Sequence, residues 1–129
     1  MTNLVAIREV ENGARNLVLQ LDIQGDGVTE ITDLDLVEVA GYGCEEVRLN
    51  GIKGQIAGFT LKLEWGGTTK APLFQIDGDN YVDIDWDKTG GLTNPKVPNY
   101  TGDVVLNSSG LVAGEVGSLQ FHFIKKRIL

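Results

Sequence analysis

Apolar and polar residues alternate along much of this chain with a period of two, the spacing of a strand that buries one face and wets the other. In "RNLVLQLDIQ", Leu17, Leu19, Leu21 and Ile23 fall on one side, with Val18, Gln20 and Asp22 on the other. "GFTLKLEWGG" sets Phe59, Leu61, Leu63 and Trp65 against Thr60, Lys62 and Glu64, and "SLQFHFIKK" sets Leu119, Phe121 and Phe123 against Gln120 and His122. Each of these stretches predicts a strand with one face on a core. Shorter runs predict further strands: "NLVAIREV" at an edge, "LDLVEVA", "TGDVVLN", and two within "LFQIDGDNYVDIDW", separated by a turn at Asp77-Gly78-Asp79-Asn80. In "EVRLNGIKG" the strand carrying Val47 and Leu49 is interrupted at Asn50-Gly51, a dipeptide that signals a hairpin turn. No segment keeps a helical period over ten residues or more.

Roughly eight short strands with turn residues between them predict two packed antiparallel sheets. The expectation is an all-β, single-domain β-sandwich over residues 1–129, jelly-roll-like, with another Greek-key sandwich as the alternative. Its predicted core is Leu19, Leu21, Phe59, Leu61, Leu63, Trp65, Ile84, Trp86, Phe121 and Phe123. A length of 129 residues suits one such core, and 17 Gly against 3 Pro is the punctuation of many tight turns. The longest stretch without a strand pattern is residues 87–102. Pro95 and Pro98 bias it away from helix, so it is expected to run over the surface as an arm.

Charge and cysteine content narrow the function classes. A formal charge of −7 repels phosphate backbones, which argues against nucleic acid as a partner. The basic run Lys125, Lys126 and Arg127 near the C-terminus is the exception, and it is too short to reverse that expectation. The single Cys44 allows no intramolecular disulfide and no zinc site built on several thiolates. Residues 1–10 read as neither a signal peptide nor a membrane span, so the chain is expected to be made and used in a reducing cytoplasm, or assembled there and released by lysis.

Candidate chemistry is sparse. "YVDIDWD" places Asp83, Asp85 and Asp87 on alternate positions, but alternation demands this of any half-buried strand with Val82, Ile84 and Trp86 on its apolar side. Neighbours on one strand face stand ~6.6–6.8 Å apart, too far to share a small ion without a second strand. A Ca²⁺ site using Asp77, Asp79, Asn80 and Asp83 is the competing reading, although the loop lacks the glycine and closing glutamate of a Ca²⁺-binding hand. His122 reads as a surface or interface residue. Ser108 and Ser109 sit in a predicted turn without the context of a hydrolase nucleophile. Trp65, Trp86, Tyr42, Tyr81 and Tyr100 could line a sugar platform, with both tryptophans better explained by the core. No catalytic residue, cofactor or metal is expected, and the chain reads as a non-enzyme.

Three stretches carry a resemblance: "VLQLDIQGDGVTEITDLDLVEV", "VRLNGIKGQIAGFTLKLEW" and "GGLTNPKVPNYTGDVVLNSSGLVAGEVGSLQFHFIKKR". Their succession of strands and turns, over residues 17–127, resembles small virion structural proteins of tailed bacteriophages, of the capsid decoration (cement) type. The resemblance lies in the layout and not in a signature motif. It implies a non-enzymatic virion protein on the capsid exterior, assembled in the host cytoplasm. The implied partners are the major capsid protein and other copies of the chain, as trimers on the capsid, with neither nucleic acid nor membrane involved. Leu92, Val97 and Tyr100 of the arm, with Lys125, Lys126 and Arg127, are the candidate protein contacts. A neck or tail component is the nearest alternative, and a carbohydrate-binding β-sandwich module the alternative from another class.

Overall fold

The computed structural model describes residues 4–25, 30–68, 70–78, 80–86, 91–93, 101–111 and 114–127, with the backbone alone at Leu4, Asn80, Lys126 and Arg127. The strands are β1 (Leu4–Asn12), β2 (Asn16–Gln24), β3 (Leu34–Val37), β4 (Cys44–Ile56), β5 (Thr60–Trp65), β6 (Ala71–Ile76), β7 (Asn80–Asp85), β8 (Val104–Ser109) and β9 (Val116–Arg127). One sheet has the order β1-β2-β9-β4-β7 and the other β3-β8-β5-β6, and every pairing within them is antiparallel.

The pairings β2·β9, β3·β8, β4·β7 and β5·β6 are nested, the first strand of the set with the last and so inward. That is one long hairpin of eight strands rolled over itself, a jelly roll, with β1 added as an outer edge. The all-β, jelly-roll-like sandwich expected from the alternation is therefore what the chain adopts. β1 lies at an edge, as its sequence predicts.

The core is the apolar side of each alternating stretch. Leu17, Leu19 and Leu21 of β2 and Phe121 and Phe123 of β9 are fully buried, and they face Leu61, Leu63 and Trp65 of β5. Eight of the ten predicted core residues are buried. Ile84 and Trp86 are only partly so, because β7 is an edge strand whose apolar side is covered from one direction. Trp86 completes its packing by an edge contact with Phe74 of β6, ring centroids 5.6 Å apart.

Two local readings are corrected. Asn50-Gly51 is not a turn: β4 runs through it as one strand of 13 residues, bonded to β9 on one side and β7 on the other. The register against β9 shifts between Leu49 and Gly51, so Asn50 is the extra residue of a β-bulge. The turn expected after Ile76 is present and joins strands of different sheets, since β6 and β7 do not pair. Ser108 and Ser109 end strand β8 instead of forming a turn, and the bend comes at Gly110.

Candidate functional site

Two surfaces concentrate the groups singled out by sequence. The first is a pole of the sandwich, built around the start of β4. On one side of this strand Cys44, Glu46 and Val47 pair with Arg127, Lys126 and Lys125. On its other side Leu92 makes an isolated bridge to Leu49, with N–H to carbonyl bonds of 2.8 and 3.0 Å in the two directions. The far root of the predicted arm returns to the same pole. Thr101 N–H donates to the Gly66 carbonyl at 3.2 Å, and the Asp103 carboxylate accepts from Val39 N–H at 3.0 Å. Gly102, with φ of +85°, lies so close to Glu45 that a Cβ would stand 2.7 Å from its carbonyl oxygen. Both arm roots and the basic strand end thus converge on one short stretch of β4.

Individual contact candidates fare differently there. Leu92 is half-buried against the core and so is engaged by its own fold. Lys125 is latched inside the chain: its ammonium donates to Asn12 Oδ1 and to the Gly13 carbonyl at 2.8 Å, and sits 5.8 Å from the centre of the Tyr42 ring. The backbones of Lys126 and Arg127 continue the strand. Val97 and Tyr100 lie outside the described residues, as does most of the predicted arm. Burial raises the Cys44 thiol above its ordinary range, which keeps it in the unreactive protonated form.

The second surface is the outer face of the five-stranded sheet. Alternation and register place its polar side chains in rows that run across the strands. One row is Arg8, Gln20, Gln120, Lys53 and Asp83; the next is Asp22, Ser118, Gln55 and Tyr81; a third is Val18, His122, Gly51 and Asp85. On the β1–β2–β9 side the groups satisfy one another. Gln20 Nε2 donates to Ser118 Oγ at 2.9 Å and to Asp22 at 3.2 Å, Ser118 donates to Asp22 at 3.0 Å, and Arg8 pairs with Asp22 at 3.1 Å. Partial burial by itself would raise the Asp22 carboxyl, but the Gln20 and Ser118 hydrogen bonds and Arg8 outweigh it and hold the group below its ordinary value.

His122 lies on this face, half-buried and pinned. Its Nε2 is 3.0 Å from Asn16 Oδ1, and its Nδ1 is 3.4 Å from the side-chain nitrogen of the buried Asn50. Both contacts are met by a neutral ring carrying its proton on Nε2, which then donates to Asn16 and accepts from Asn50.

Asp83 and Asp85 are exposed on the edge strand β7, in the alternation the sequence requires. Asp77 is exposed after β6, while Asp79 and Asp87 lie outside the described residues. Among the described residues no three His, Cys, Asp or Glu side chains gather closely enough to hold a metal ion. Calorimetric titration with Ca²⁺ is expected to give no saturable heat below millimolar concentration. A micromolar site that raises the melting temperature would instead make Asp77, Asp79 and Asp83 ligands.

Glu30 is an anchor that the strand pattern does not reveal. Its carboxylate accepts from Ser108 Oγ at 2.7 Å and from the backbone N–H groups of Gly110 and Leu111 at 2.8 and 3.1 Å, and these bonds, Ser108 first, lower its pKa. It ties the chain ahead of β3 to the end of β8, at the end of β8 away from Val104. Comparison with known proteins finds no matching family model, no matching curated protein and no matching solved structure.

Proposed function

We propose that the chain is a non-enzymatic structural protein of a tailed-phage virion, a decoration protein that binds the major capsid protein on the outside of the shell. The observation that carries this reading is the convergence at one pole: both roots of the long arm and the basic end of β9 flank the first half of β4. A sandwich that gathers residues 91–93 and 101–103 and its one cationic run at a single end has a natural contact surface there. The cationic run contrasts with a net charge of −7 and lies among Glu38, Glu45, Glu46 and Asp103, so it offers a partner's carboxylates a local contact within an otherwise acidic surface. Val97 and Tyr100 supply apolar anchors for the interface, and Pro95 and Pro98 restrict the backbone between them.

Quantitative mass spectrometry of purified particles tests the role. The chain should be present in fixed proportion to the major capsid protein. A few copies per particle would instead make it a neck or tail component, and its absence would end the virion reading. The pole is tested by V97S/Y100S and K126E/R127E double variants, which should keep the wild-type circular dichroism spectrum and lose incorporation. Full incorporation of both would move the contact to a sheet face.

A further inference from the structure

On the β9–β4–β7 half of the outer face, four polar side chains are left open. Among the described residues the side chains of Gln120, Lys53, Asp83 and Tyr81 make no hydrogen bond or ion pair with one another or with a neighbour, although they belong to adjacent rows. They surround two adjoining hollows of about 300 and 360 Å³ that share Lys53 and Gln120 as walls. Each hollow has a structural cause. The first opens where Gly51 stands between His122 and Asp85 and contributes no side chain to the row. The second lies beside Gly54, between Gln20, Ser118 and Tyr81. Tyr81 rises over the latter with 68% of its surface exposed, the largest exposure among the big apolar and aromatic side chains described.

We propose that this trough is a binding site for a neutral oligosaccharide. A hydroxyl both donates and accepts, so a polyol is matched by a wall that mixes an amide, which does both, with a carboxylate acceptor and an ammonium donor. Gln120, Asp83 and Lys53 are that mixture, set about 5 Å apart on neighbouring strands. Tyr81 adds an exposed ring face against which the C–H side of a sugar can lie. The hollows together have the volume of a small-ligand site, while their open shape suits a chain laid across strands better than a compact apolar molecule. Asp83 and Asp85 outnumber Lys53 along the trough, and Arg8 is already paired with Asp22, so the excess negative charge opposes phosphates and other anions. The trough lies on a sheet face and not at the pole, so it stands independently of the capsid reading.

The test uses the full chain on an array of neutral oligosaccharides built from glucose, galactose, mannose and N-acetylglucosamine, followed by calorimetry with the best ligand. Wild type and Lys62→Ala, a control on the other sheet, should bind alike. Tyr81→Ala and Gln120→Ala should each weaken binding about tenfold or more, with unchanged melting temperatures, since Tyr81 is exposed and the Gln120 side chain holds no partner. Tyr81→Phe should keep most of the affinity, because the ring face does the binding. An array with no neutral glycan retained, or binding equal in all variants, overturns the proposal. Incorporation into particles should be unaffected by Tyr81→Ala, which separates failure of this site from failure of the pole.

Discussion

Gly54→Ala is expected to be the most damaging glycine-to-alanine change among the described residues, lowering stability by about 3–5 kcal/mol, the sum of backbone strain and overpacking. Gly54 sits in β4 between β9 and β7, at φ of +138°, a region that residues with a Cβ rarely adopt. A methyl group there would stand 2.1 Å from the Ser118 carbonyl oxygen and 2.8 Å from Leu119 Cα. Both atoms are backbone of β9, the central strand of the sheet, so no side-chain rotation can make room. Relief requires β4 and β9 to separate over part of their long pairing. A domain of this size has about 5–15 kcal/mol of total stability, so the loss approaches unfolding. Thermal denaturation should show the variant melting more than about 10 °C below wild type. Gly41→Ala is the control: nothing lies within 4 Å of a Cβ at that position, and the melting temperature should hardly move. If Gly54→Ala melts with wild type, the β4–β9 pairing is not as described.

Phe121→Ala should cost ~3–5 kcal/mol through lost burial and the cavity left behind. Phe121 has no exposed surface, and its β-sheet partners on the two sides, Leu19 and Ile52, are buried as well. Its ring also lies alongside that of Phe123, centroids 6.3 Å apart with 25° between planes. Neighbours held in two sheets cannot collapse into the space, so the cavity term should be near its upper range. Urea denaturation should show a lower midpoint with an unchanged slope. Phe74→Ala provides the comparison, since Phe74 is partly buried at the edge strand β6, and it should lose less than half as much. Equal losses would mean that the sheet edges, and not the interior, hold the fold together.

The bulge at Asn50 shows where sequence reasoning ran short. Asn-Gly has the backbone freedom of a tight turn, and locally that is the better use of it. The parity of the apolar positions carried the contrary signal: Val47 and Leu49 are odd, Ile52 and Ile56 are even, and one inserted residue in a continuous strand produces that change. Reading the pair as a turn also hid the trough, because Gly51 floors one hollow only if β4 continues past it. Tyr81 could be picked out as an exposed aromatic, whereas Lys53 and Gln120 carry no local mark and become neighbours only through register.

Alternation by itself determined the all-β class, the main strands and the central part of the core, because a period of two assigns each residue to a face before any partner is known. It also placed Asp83 and Asp85 in solvent and marked β1 as an edge. Which strands pair was decided by the tertiary structure alone. Residues 17–24 and 116–124 are far apart in sequence, and nothing local says that they lie side by side. The same holds for the gathering of the arm roots and the basic strand end around β4, for the latch on Lys125, and for the three hydrogen bonds that close on Glu30. Face is a property of one strand and can be read from its own residues. Neighbourhood is a property of two, and it appears only when loop closure and burial of a shared core have selected one pairing among many.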